Sequence, residues 1–259
     1  VLNKYFELKG RIESTGSSVG TYHASLNIQR GNVKFDGSIH MDQSNAAQIG
    51  IRPANDANDA LIKADVYTSK GICVDSTARN AHSKFEGRYE TGDKSTYYVM
   101  RFNDGYQGQH IIDAEIVGAL HFHPGNNQYG GVHFSGYQVC TDSPSGNGAI
   151  YIQSGLNYID ASIYSTEAVI FGVNGGNTHF GGVVEQYNNG GGKIFNVANG
   201  TFTWNGASQN NDRRADSSVI NGGTLIIDSY LEHHGGNSPN DEFAFNLSGG
   251  TLEINNKVV

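Results

Sequence analysis

The sequence is poor in the residues that mark most familiar classes. Only two cysteines occur, Cys73 and Cys140. Two are too few for a disulfide scaffold, and no Cys-x-x-Cys suggests zinc, so both read as reduced, buried small apolar residues. Lysine and arginine total 17 against 25 acids, giving a net charge of −8 without any basic run. That argues against duplex nucleic acid as partner, because neutralising phosphates takes clustered cations. No stretch of about 18 apolar residues is present, so no helix is expected to span a membrane. Leucine is scarce, at 10, and no long amphipathic run of Ala, Leu, Glu and Lys appears. Helix is therefore disfavoured.

What is abundant is glycine, at 35, and asparagine, at 27. Between clusters of Gly, Asn, Ser and Asp stand short runs of Val, Ile, Thr, Tyr and Phe, which fit brief strands joined by turns. From about residue 130, apolar residues two apart recur, as in Ile150/Ile152, Phe202/Trp204, Leu225/Ile227 and Leu252/Ile254. A period of two puts each pair on one strand face. The chain reads as all-β.

A repeat narrows the choice. Gly-Gly-Thr-Leu stands at 222–225 and again at 249–252, 27 residues later, with Gly-Thr-Phe at 200–202. A spacing of roughly 20–30 residues per unit is the mark of a stacked solenoid. In a parallel β-helix a turn made once per coil recurs at the coil length. Glycine permits the corner, threonine starts a strand, and the apolar residue enters the core. A right-handed parallel β-helix is expected over 126–259, with a jelly roll or sandwich as the competing fold. Residues 1–125 contain strand-like runs such as 61-LIKADVY-67 and 111-IIDAEIVGALHF-122, but no repeat of this kind. They are expected to form an irregular β-rich region of leading coils or an intertwined module, with the seam at 123-HPGNNQYGG-131.

Candidate chemistry rests on several groups. Asp160, Glu185 and Asp212 are spaced by 25 and 27; if that is one coil, they form a column. With strands about 4.8 Å apart, neighbours would be about 5 Å and alternate acids about 10 Å apart, near the separations used in retaining and inverting glycosidases. Glu232 lies in 228-DSYLEHH-234, one short loop after 212-DRR-214. There Arg213 and Arg214 suit a sugar carboxylate, and Tyr230, His233 or Glu232 could carry a proton. His121 and His123, in His-Phe-His, face the same way on a strand and suit a shared metal. Trp204, Tyr151, Tyr158, Tyr164 and Tyr187 lie among glycine and asparagine, the mixture of apolar platform and hydrogen-bonding groups that sugar rings need. The stretch 87-GRYETGDKS-95 lacks the strand-then-helix setting of a phosphate-binding loop.

Through 199-NGTFTW-204, 221-NGGTLII-227, 248-SGGTLEI-254 and 172-GVNGGNTHFGG-182, the second half resembles the parallel β-helix of phage tailspikes and the pectate-lyase superfamily. The first half is more loosely similar to the intertwined β regions of phage fibres and phage hyaluronate lyases. The resemblance implies a homotrimeric virion protein that recognises, and as a depolymerase would cleave, bacterial surface polysaccharide. It also implies that His121 and His123, like the His-x-His of trimeric phage fibres, would hold a metal ion on the trimer axis. The calcium acids and catalytic arginine of pectate lyases find no match. Two other readings stand beside this one: a secreted monomeric polysaccharide lyase or glycosidase, and a structural or adhesive solenoid without catalysis.

Overall fold

A computed structural model of the chain describes residues 5–13, 24–28, 32–41, 49–53, 59–74, 82–103, 108–124, 130–144, 147–187, 193–210, 218–231 and 245–258. Among these residues every strand pairing is parallel, no α-helix occurs, and all strands join one 23-stranded sheet. The protein is a parallel β-solenoid. Each coil passes along three faces in the same order.

Face one stacks β2 (Ala24–Ile28), β4 (Ile49–Pro53), β6 (Ile72–Val74), β8 (Met100–Asn103), β10 (Leu120–His123) and β13 (Ile150–Ile152). It continues through the first parts of β16 (Val169–Phe180) and β18 (Lys193–Trp204) to β20 (Ser218–Ile220) and β22 (Phe245–Leu247). Face two begins with the first parts of β1 (Tyr5–Glu13), β3 (Asn32–Met41), β5 (Asp59–Thr68), β7 (His82–Thr91) and β9 (Gln109–Val117). It then takes in β11 (Gly131–Phe134), β14 (Leu156–Ile159), the second parts of β16 and β18, β21 (Thr224–Ile227) and β23 (Thr251–Ile254). Face three is formed by the second parts of β1, β3, β5, β7 and β9 and by β12 (Tyr137–Cys140), β15 (Ser162–Ser165), β17 (Val183–Gln186) and β19 (Ala207–Asn210).

The Gly-Thr repeat is a corner. Gly155, Gly176, Gly200, Gly223 and Gly250 stack where face one turns into face two: Gly155, Gly223 and Gly250 just before β14, β21 and β23, and Gly176 and Gly200 within β16 and β18. A Cβ on Gly223 would lie 2.7 Å from the Gly200 carbonyl oxygen, and one on Gly250 2.2 Å from that of Gly223. Glycine is needed because successive carbonyls approach the corner closely.

The coils are not confined to the second half: the ladder starts at β1 and crosses the expected seam through Gln109↔Gly131. The early strands look different because they bend from face two to face three without a turn. The bend falls at Gly10, Gly37, Ala64, Gly87 and Ala114, which are mutual partners from coil to coil. Ion pairs between coils reinforce this register. Lys34 Nζ donates to Glu7 Oε1 at 3.0 Å and Arg88 Nη1 to Glu115 Oε1 at 3.2 Å, each pair 27 residues apart.

The core runs along the axis between the faces. On face two it alternates rings and branched aliphatics from coil to coil: Phe35, Ile62, Phe85, Ile112, Phe134, Ile159, Phe180, Trp204, Ile227. Alternation lets each bulky ring overhang a slimmer neighbour within a strand spacing of about 4.8 Å. Where it lapses, Phe180 and Trp204 stack at 4.6 Å. Cys140 is buried, Cys73 is half-buried, and neither forms a disulfide. Burial pushes the Cys140 thiol well up, so it stays protonated and inert.

Candidate functional site

A gathering of polar and aromatic side chains lies on face one. Strand register sets Arg101, His121 and Tyr151 in one outward column, on β8, β10 and β13. An outward position on a solenoid is normally wet, yet His121 is only 4% exposed. Tyr98, from the turn before β8, lies against it at 4.9 Å between ring centroids, and Tyr151 packs on it at 5.0 Å. The two tyrosine rings are nearly parallel, at 12° and 6.5 Å. His123 stacks beside His121 at 6.0 Å and 7°.

Amides hold the rings. Asn147 Nδ2 donates to the Tyr98 hydroxyl at 3.2 Å, and Gln153 Nε2 to the Tyr151 hydroxyl at 3.0 Å, with Asn174 Nδ2 at 3.4 Å from the same oxygen. Asn147 reaches Tyr98 because its loop crosses Gly172, where a Cβ would come 2.0 Å from the Asn147 carbonyl oxygen. With its nitrogen engaged on Tyr151, Gln153 turns its Oε1 to His121 Nε2 at 2.8 Å. That acceptor fixes the tautomer: His121 carries its proton on Nε2, and Nδ1 holds a buried lone pair without a partner among the described residues. Burial pulls the His121 pKa down to about 4, with smaller contributions in the same direction from Arg101 and His123, against the Gln153 hydrogen bond. His123 is lowered too, first by burial and then by Arg101. Both imidazoles are neutral at pH 7.

Arg101 is exposed beside them. It makes no hydrogen bond or ion pair with any described residue, whereas Arg11 pairs with Glu13 and Arg88 with Glu90 and Glu115. The arrangement is an aromatic platform with amide donors and acceptors, neutral imidazoles and one exposed guanidinium.

The residues singled out from the sequence scatter around the molecule. Asp160 stands at the corner after β14 and accepts a hydrogen bond from His133 Nε2 at 2.9 Å on the surface. Glu185 lies within β17 on face three, in register with Tyr164 and Gln209. The coil there is 21 residues, the interval between Asn157 and Thr178, which are hydrogen-bonded partners. A spacing of 25 therefore overshoots one coil, and Asp160 and Glu185 do not form the expected carboxylate column. The position above Asp160 is Gly181, and Asn205, Asp228 and Asn255 continue that corner. Trp204 is fully buried against Phe180 and presents no surface to a ligand. Its shared parity with Phe202 was the signal that it points inward.

Tyr230 is exposed, while Asp212, Arg213, Arg214, Glu232 and His233 lie outside the described residues. His121 and His123 do face the same way. Among the described residues no third His, Cys, Asp or Glu joins them in a metal-binding group, and the neighbouring Arg101 charge opposes a cation there.

Sequence reasoning found His121 and Tyr151 but missed Tyr98, Arg101, Asn147, Gln153 and Asn174. The signal was the register that stacks 97-YYVMRF-102 beneath His121. It was hidden because loop lengths differ from coil to coil. Compared with known protein families, with curated proteins and with solved structures, the chain matches none.

Proposed function

We propose that this solenoid binds polysaccharide along face one, with Tyr98 and Tyr151 as the platform for sugar rings. The observation that carries the reading is the nearly parallel pair of tyrosines whose hydroxyls are held by Asn147, Gln153 and Asn174. Sugars combine apolar ring faces with a rim of hydroxyls, and rings beside amides answer both. A face that repeats every coil suits a ligand that is itself a linear repeat.

The proposed setting is a phage tailspike or fibre, assembled as a homotrimer in the virion and recognising a bacterial surface polysaccharide. A solenoid fold supports that setting, as does the Gly-Thr corner. Face one brings no pair of carboxylates together among its described side chains, so the reading is of binding. Cleavage would fall to Asp160, Glu185, Asp212 or Glu232, with Arg213, Arg214, Tyr230 and His233 on the substrate.

A glycan array probed with the wild-type chain and with Tyr98→Ala tests the binding, with oligomer mass and new reducing ends measured on the same sample. Binding that Tyr98→Ala abolishes supports the reading. Binding untouched by that change, or none at all, removes it.

A further inference from the structure

We infer that the ligand of face one is an acidic saccharide whose carboxylate is taken by Arg101. This rests on the saccharide reading above and adds the chemical class of the sugar.

The first ground is the state of the guanidinium. Arg11 and Arg88 are each held by glutamates, but Arg101 stands exposed with no carboxylate among the described residues. An arginine offers a planar fork of donors that fits a carboxylate through two parallel hydrogen bonds. Of the arginines whose side chains are described, Arg11, Arg88 and Arg101, only Arg101 has no ion pair with a described residue.

The second ground is position. Arg101 is directly below His121 in the ladder, and Tyr151 directly above it. At about 4.8 Å per coil, the Arg101 backbone is about 10 Å from that of Tyr151, and the long side chain spans part of that gap. A sugar ring on the tyrosines thus has its acidic substituent within reach of the guanidinium.

The third ground is what lies between. His121 is buried, gives its only N–H to Gln153, and stacks among rings. It neither competes with Arg101 for an anion nor supplies a second charge. Recognition of the acid falls on the one arginine.

The test titrates wild type, Arg101→Gln and Arg101→Lys with three polymers: a polyuronate, the same polymer with its carboxyls reduced to alcohols, and a sulfated neutral glucan. Arg101 is exposed, so the variants should fold; equal thermal midpoints check this. The expected result is wild-type preference for the polyuronate and a loss of about 10- to 100-fold in Arg101→Gln, in the range of a charge-assisted hydrogen-bond pair. Arg101→Lys should recover part of it, because charge remains and the fork does not. Binding of the reduced polymer should be the same in all three proteins. Retention of polyuronate affinity by Arg101→Gln overturns the inference and leaves saccharide binding intact. Preference for the sulfated glucan over the polyuronate overturns the carboxylate assignment. Failure of the wild-type chain to bind any polymer overturns both the inference and the reading beneath it.

Discussion

His121 and Gln153, 32 residues apart in sequence, meet at 2.8 Å between Nε2 and Oε1. The contact joins two successive coils on face one and decides which imidazole nitrogen carries the proton. Replacing Gln153 with Leu strands a buried N–H, at a cost of about 1–3 kcal/mol in unfolding free energy. It also removes the hydrogen bond that raises the His121 pKa, so that pKa should fall below its wild-type value. Denaturant unfolding and an NMR titration of His121 measure the two effects.

Burial also makes stability depend on pH. The folded His121 titrates at about 4, below its ordinary value of 6.5. Between those values the unfolded chain binds the proton and the folded chain does not. The stability that this group confers is therefore fully present above pH 6.5 and is lost as pH falls towards 4. The difference corresponds to roughly 3 kcal/mol. His121→Phe should show a shallower fall over that window, read as the difference between the two pH profiles.

The corner glycines give a sharper structural test. A methyl at Gly223 would come 2.7 Å from the Gly200 carbonyl oxygen. Gly223→Ala should therefore destabilise by about 1–3 kcal/mol, whereas Thr224→Ala, on the outward side of the next residue, should stay within about 0.5 kcal/mol. A larger effect of Thr224→Ala than of Gly223→Ala would mean that the threonine, not the glycine, fixes the corner.

The same corner shows what the sequence could disclose. Glycine followed by threonine at coil intervals predicted a stacked turn, and Gly200, Gly223 and Gly250 stack accordingly. The earlier coils escaped notice because their bend uses one small residue, Gly10, Gly37, Ala64, Gly87 or Ala114, inside long strands. Glycine and alanine interchange there, so no fixed motif repeats. Asp160 and Glu185 do not share a column for a related reason: coil length changes locally, and a spacing valid at one end of the chain fails in the middle. Arg101, His121 and Tyr151 become neighbours only once that register is known.

Trp204 separates core from ligand surface. It is fully buried, and its Nε1 has no hydrogen-bond partner among the described residues. Trp204→Phe removes that stranded donor along with some volume, so it should cost about 1 kcal/mol, against about 3 kcal/mol for Trp204→Leu. Neither change should alter saccharide affinity in the folded protein, as thermal unfolding and binding on the same samples would show.

The most direct test of the account is the affinity of Tyr151→Ala beside that of wild type, titrated calorimetrically with a polyuronate. Removing a stacking ring should weaken binding by about tenfold or more, with the fold intact by circular dichroism. Equal affinity in the two proteins, or binding lost instead on Glu185→Ala, would place the saccharide elsewhere and contradict the assignment of face one.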